Sequence, residues 1–330
     1  MPIAARLPFV RSLARLSVDF AAYALVRLLV SVIQTLPFDM GDSVCRGLAW
    51  LVSGPLKIRR NATEHNLQQI FPNSSPEERQ RLSFAMWHHL LLMVCEIAWA
   101  QRRLHRCNWG KHVSFRSNRE FMSYLLDDRP TIMVTGHFGN FEVGGYVSGL
   151  MGFSTLTIAR RLDNVFLHRW VERFRGAKGQ HMVDKDGCAN EVDQHLQDGG
   201  ILAILADQHA GPKGCWVDFL GVPASCHKAL ALFSLSSNAP MLVGSNCRVD
   251  GQPMQFEFSC SAPADPLNDP QGNCESVTKL TEWYNGQLAA AIEPSVEQYW
   301  WLHRRWRTPP ERVAKKLARA AERKNQQNAA

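Results

Sequence analysis

Between residues 131 and 261, short apolar runs bounded by Gly, Pro and Asp alternate with stretches of helical periodicity, and no other feature restricts the fold as tightly. The runs lie at 131–135, 154–159, 201–206, 241–245 and 255–259, and the helical stretches between them at 165–175, 190–196 and 227–237. A strand that is apolar on both sides must be covered on both faces, and a helix between two such strands gives a crossover between parallel neighbours. The expected fold class is therefore α/β, with a mixed, mostly parallel central sheet flanked by helices.

Upstream of this region the apolar positions recur at helical spacing from residue 42 to about 104. Asn73-Ser74-Ser75-Pro76-Glu77-Glu78 supplies a stop, a cap and a proline start for a long helix. A last helix is expected near 275–292. Without a repeat or a flexible linker, the economical organisation is a helical, membrane-associated region over 1–110, an α/β core over 111–310 continuous with the preceding helices, and a basic tail over 311–330.

The amino terminus carries a membrane signal. Arg6, Arg11 and Arg15 precede a mostly apolar run over residues 20–38, interrupted near its middle by Arg27. A central arginine costs roughly 2.5–3.5 kcal/mol on an insertion scale, so a tilted span and an interfacial amphipathic helix both fit, and a buried soluble helix is the third reading. The run is long for a signal-peptide core and no small-residue cleavage site follows it. Charge is just as localised: the formal net charge is +7, and the nine Lys/Arg from Arg304 to Lys324, against Glu311 and Glu322, account for all of it. Such a tail suits anionic lipid, nucleic acid or an acidic protein carrier, and charge alone does not choose. The nine cysteines are scattered with no C-x-x-C pair, which argues for reduced thiols and against a disulfide framework or zinc knuckle.

The densest chemical motif is Gly136-His137-Phe138-Gly139-Asn140-Phe141-Glu142, directly after the run at 131–135. It places a histidine at a strand's carboxyl end, where open α/β sheets bind ligands, between glycines that let the backbone turn tightly. Asn140 can cap the following helix. An imidazole titrates near working pH, so His137 suits a general base that removes a proton from an attacking hydroxyl, with Glu142 as the carboxylate on its other ring nitrogen. Five residues of regular helix would turn Glu142 roughly 140° away, so that pairing requires the glycine-containing turn. Zinc lacks a third ligand here. His88 and His89 face different ways on one helix and read as packing residues.

These residues resemble the H-x-x-x-x-(D/E) signature of the lysophospholipid acyltransferase superfamily, in the form used by lipid A late acyltransferases. Asn66-Leu67 with Phe71-Pro72 resembles that family's N-L-x-x-x-F-P prologue, Ala206-Asp207-Gln208 its central D-Q, and the run from Glu297 to Arg305 its carboxyl-terminal E-Q-Y-x-W-L-H-R-R. The resemblance covers roughly residues 20–310. It implies an α/β acyltransferase at the cytoplasmic face of the bacterial inner membrane, acyl carrier protein or acyl-CoA as donor, a lipid acceptor such as a lipid A precursor or related glycolipid, and no metal, cofactor or nucleic acid. It carries His137, Glu142, Arg160 and Asp207 over as catalytic residues, although the family's Tyr-Arg-Pro context reads Ala159-Arg160-Arg161 here. Arg161, Arg304 and Arg305, whose guanidinium groups suit phosphate, and Asn140 are the expected substrate contacts. Asp207 suits either an arginine partner or a loop cap. A silent lipid-binding protein of the same fold and a thioester or lipid hydrolase are the competing functions; the missing G-x-S-x-G elbow weighs against the hydrolase.

Overall fold

The computed structural model describes residues 6–116, 118–317 and 319. Four helices come first: α1 (Arg6–Thr35), α2 (Phe38–Ser53), α3 (Arg60–Ile70) and α4 (Pro76–Arg103). The start of α4 follows from its sequence: Ser75 accepts from the Glu78 amide, the Glu78 side chain accepts from the Ser75 amide, and Pro76 opens the first turn.

The core then runs β1 (Val113–Arg116), α5 (Asn118–Leu125), β2 (Thr131–Thr135), α6 (Phe141–Met151), β3 (Thr155–Ala159), α7 (Val165–Gly176), β4 (Gln180–Asp184), α8 (Ala189–Gln197) and β5 (Ile201–Leu205). It continues through β6 (Cys215–Phe219), β7 (Val222–Cys226), α9 (Ala229–Ser237), β8 (Met241–Arg248), β9 (Phe256–Cys260) and α10 (Val277–Ile292). Seven strands form one sheet in the order β1-β9-β8-β2-β5-β3-β4, parallel throughout except for the antiparallel pair β8–β9. The mixed, mostly parallel sheet flanked by helices is thus the fold.

Side-chain alternation separates its two faces. Ile132, Val134, Leu156 and Leu202 join one core with Val192 and Leu196 of α8, Leu230 of α9, and Leu280 and Leu288 of α10. The alternate residues Met133, Thr135, Ala203 and Leu205 face α6 across a cavity. The central strands β2 and β5 are in register from Thr131↔Ile201 to Thr135↔Leu205, which brings their carboxyl ends side by side.

The five strands expected from the sequence are present, and four more accompany them. β1 and β4 are edge strands, short and interrupted by polar residues, as edges commonly are. The β6–β7 hairpin turns through Leu220 (φ 55°) and Gly221 (φ 81°), both left-handed, and a leucine in that position conceals the usual turn signal. All nine cysteines are free thiols.

Candidate active site

The turn between β2 and α6 carries His137, and the strand next to β2 delivers its partner. Asp207 follows β5 immediately, and its carboxylate accepts two bonds from one residue: from His137 Nδ1–H at 2.7 Å and from the His137 backbone N–H at 2.8 Å. Gly136 permits this approach, since a Cβ there would lie 3.2 Å from Asp207 Cγ. The Asp207 side chain is 1% exposed and that of His137 15%, so the pair is sealed behind and open in front. With Nδ1 protonated and facing the carboxylate, Nε2 keeps its lone pair toward the groove. There the Gln208 amide lies 3.4 Å away.

Glu142 is not the carboxylate on His137. It sits in the first turn of α6 and is ion-paired with Arg175 of α7, whose Nε lies 3.2 Å from Oε2 and whose Nη2 closes on Oε1. The β2–β5 pairing supplies a nearer carboxylate, and α6 points Glu142 at α7. Both Glu142 and Arg175 line the α6-side cavity, which also borders Thr135, Phe141 and Leu205 at the His137 end of the sheet.

The other expected contacts resolve differently. Asn140 is buried as the α6 cap: Oδ1 accepts from the Val143 amide and Nδ2 donates to Glu96, which turns the side chain away from solvent. Arg305 is buried as well, donating to the Gln208 and Ser225 carbonyls at 2.9 and 2.6 Å and lying over the Phe219 ring; it ties the segment after Asp207 to the β6–β7 hairpin. Arg160 and Arg161, after β3, are exposed and only loosely paired with Asp163 (3.7 Å) and Asp184 (4.0 Å), and neither touches His137. Arg304 is exposed. Trp301 and Trp306 belong to the core, whereas the Trp300 ring packs 5.0 Å from His137 and stacks on His303.

A buried polar cluster, absent from the sequence reading, holds the His137 turn from behind. Arg248 of β8 donates from Nε and Nη2 to the two Glu96 oxygens at 2.8 and 2.6 Å, and from Nη1 to His89 Nδ1 at 3.0 Å. His89 then donates from Nε2 to the Gly139 carbonyl at 3.2 Å. Gly139 has φ +59°, and a Cβ there would stand 2.4 Å from the Asn246 carbonyl oxygen. The Gly139 amide donates to the Gln298 carbonyl, and the Trp300 amide to that of His137. One sequence signal pointed here: Glu96 is a lone carboxylate in an apolar helical stretch, and buried carboxylates are almost always paired.

Burial would raise the Asp207 pKa, but the His137 imidazole, its two hydrogen bonds and Arg305 reverse this and hold it below the usual carboxylate value. Its contribution to stability is present above about pH 3.9 and is lost only as pH falls through the lower folded value. The histidines behind it are lowered as well. Burial lowers His303 to about 4, helped by His137, and burial with Arg248 lowers His89 well below its ordinary value. The unfolded chain binds these protons near pH ~6.5 while the folded chain refuses them, so stability falls as pH drops from about 6.5 toward 4. The expected result is a lower urea midpoint at pH 5 than at pH 7.5, with a shallower difference in His303→Phe; equal midpoints at both pH values in the wild type contradict the assignment.

His137 and Asp207 stand together at the strand ends, next to an apolar cavity that borders Thr135 and Leu205. The family model for bacterial lipid A biosynthesis acyltransferases matches residues 11–308, and the chain belongs to that family. It is an acyltransferase, and the group it moves goes to a lipid. Among similar proteins, the lipid A biosynthesis lauroyltransferase of Escherichia coli K12 is 23% identical over 86% of this chain and 90% of its own. The palmitoleoyltransferase of the same strain is 24% identical over 77% and 81%, and a lipid A biosynthesis acyltransferase of Haemophilus influenzae Rd is 25% identical over 84% and 88%. The 1-acyl-sn-glycerophosphate acyltransferase PlsC of Thermotoga maritima aligns over 77% of this chain and 98% of its own at 11% identity, with a TM-score of 0.35, a likeness too loose to carry an inference.

Proposed function

We propose that the protein transfers a fatty acyl chain from an acyl-carrier thioester, acyl carrier protein or CoA, to a hydroxyl of a lipid A precursor or related glycolipid, with His137 as general base and Asp207 as its partner. The observation that carries this reading is the Asp207–His137 hydrogen bond at 2.7 Å, which aims the Nε2 lone pair at the groove. Nε2 takes the hydroxyl proton as the oxygen attacks the thioester carbonyl, and Asp207 stabilises the imidazolium. The tetrahedral intermediate collapses by breaking the C–S bond, and the departing thiolate takes the proton from His137.

Glu142 acts through Arg175 in this scheme, positioning a guanidinium at the cavity mouth. Arg160, Arg161 and Arg304 remain available to phosphate on donor or acceptor. The test is a reaction of purified protein with mixed acyl-carrier thioesters and a lipid extract, read by mass spectrometry. Acylated lipid together with free carrier thiol supports transfer; thiol without acylated lipid supports a hydrolase, and neither, with lipid bound, a silent binder.

The same reading places the site at the cytoplasmic surface of the inner membrane. Residues Arg15–Thr35 of α1 are long and apolar enough to cross a bilayer and almost wholly exposed, whereas α4, which passes the same test, is nearly half buried in the protein. Leu25, Leu28, Leu29 and Val32 form one exposed stripe at helical spacing, and α2 adds Val44, Leu48 and Trp50. Arg27 is accommodated by packing over the Tyr23 and Trp170 rings. Leu25→Glu/Leu28→Glu is expected to release the protein from phospholipid vesicles in flotation without lowering its melting temperature, because both side chains face outward. Undiminished flotation contradicts α1 as the anchor.

A further inference from the structure

Attack on a thioester beside His137 Nε2 puts negative charge on the carbonyl oxygen, and a fixed hydrogen-bond donor aimed at that charge is usually the largest single aid to such a reaction. The turn that carries His137 spends its own amides elsewhere. The His137 amide is bonded to Asp207, the Gly139 amide to the Gln298 carbonyl at 3.1 Å, and the Asn140 amide to the Asn246 carbonyl at 2.7 Å. Arg175 is engaged by Glu142 and the Met182 sulfur. The two rings packed 5.0 Å from His137 do not serve either, because Trp300 Nε1 and His303 Nε2 are both buried within the packing, closed off from the groove.

Gln208 presents a donor where these do not. It follows Asp207 directly, its side chain is exposed, and its amide nitrogen lies 3.4 Å from His137 Nε2. Asp207 keeps the ring proton on Nδ1, so Nε2 is an acceptor, and only an N–H of the amide can face it. The backbone beneath is fixed as well: the Gln208 carbonyl accepts from buried Arg305 at 2.9 Å. The rings of Phe141 and Trp300, 5.4 and 5.0 Å from His137, wall the site with apolar surface, in which a donor acts more strongly than in water.

We propose that Gln208 is a further catalytic residue, whose side-chain N–H stabilises the oxyanion of the tetrahedral intermediate. The inference rests on the acyltransferase reading and adds the group that meets the developing charge. In the resting site this N–H faces the Nε2 lone pair. When the acceptor hydroxyl takes that lone pair, the N–H is released toward the carbonyl under attack, and a donor works there at about 2.7–3.1 Å from the oxyanion. As the hydroxyl oxygen bonds to the carbonyl carbon, its proton passes to Nε2 and the C=O electron pair moves onto the oxygen held by Gln208. When the C–S bond breaks, that pair re-forms the carbonyl and the thiolate leaves with the proton from His137.

The test measures kcat and KM for acyl thioester and for lipid acceptor in wild type, Gln208→Ala and Gln208→Glu, each across a pH series, with product lipid read by mass spectrometry. Gln208→Ala is expected to lose on the order of 10²-fold in kcat, with both KM values within a few-fold of wild type, because the contact forms only in the transition state. Its pH profile and melting temperature stay those of the wild type, since the base is untouched and the side chain is exposed. Gln208→Glu keeps the shape but sets a carboxylate against Nε2; it should lose at least as much, with a profile moved to higher pH by the raised imidazole pKa. A Gln208→Ala enzyme within a few-fold of wild-type kcat overturns the assignment and leaves acyl transfer standing. So does a defect confined to the KM for acceptor, which would make Gln208 a binding contact for the lipid. Failure of the wild type to transfer any chain overturns the acyltransferase reading itself.

Discussion

Asp207→Asn is expected to cost nearly as much acyl transfer as His137→Ala, on the order of 10²–10⁴-fold in kcat, because removing a general base or its competent tautomer costs that much. His137→Ala leaves no base in the groove. Asp207→Asn preserves shape, but an amide N–H facing Nδ1 makes that nitrogen the acceptor and moves the ring proton to Nε2. The lone pair that received the substrate proton is then gone. Both variants should keep the wild-type fold and vesicle binding, read by circular dichroism and flotation. Glu142→Gln, which retains a hydrogen-bond acceptor for Arg175, should lose less and keep the wild-type pH profile, since Glu142 contacts Arg175 rather than His137. The reverse ranking, with Glu142→Gln inactive and Asp207→Asn within a few-fold of wild type, contradicts the assignment.

Glu96→Ala is the most destabilising single change expected. Glu96 is fully buried, and its carboxylate accepts from Arg248, Asn140 and the Met254 amide. Removing one member of a buried pair leaves an uncompensated charge, which costs about 3–5 kcal/mol. In a chain of this size that corresponds to a fall in melting temperature of roughly 5 °C, at about 1.5 °C per kcal/mol. Activity should fall further than stability predicts, since His89 and Arg248 hold the Gly139 carbonyl and so the turn that carries His137. A melting temperature within about 2 °C of wild type contradicts the pairing; Glu96→Gln, which keeps an acceptor but loses the charge, should fall between.

Much of the fold was legible because the central strands obey a local rule. β2, β5 and β8 read as apolar runs, and their helices as periodic stretches between turn residues. The edge strands β1 and β4 carry polar residues that break the run, and the β6–β7 turn uses Leu220 where glycine or asparagine is usual, so nothing local announced them. The site divides in the same way. His137 was visible from its glycines and its place after a strand. Its partner was not, because chain spacing favours Glu142 at five residues, whereas Asp207 arrives from seventy residues away through the β2–β5 pairing. Strand order is set by which faces pack, and a single sequence does not display it. Asn140 and Arg305 had the right chemistry for substrate contacts, yet both are buried, one as the α6 cap and the other as a loop anchor. Arg175, in the last turn of an ordinary amphipathic helix, offered no signal apart from its charge.

The most direct test of the account is the pH dependence of single-turnover acyl transfer in wild type, Asp207→Asn and Glu142→Gln, with acylated lipid quantified by mass spectrometry. Expected are one added acyl chain in the wild type, a reduced rate with unchanged pH dependence in Glu142→Gln, and an altered pH dependence with a rate lower by on the order of 10²-fold or more in Asp207→Asn. An Asp207→Asn enzyme with the wild-type profile and rate would mean that His137 does not depend on Asp207, and the proposed base would have to be abandoned.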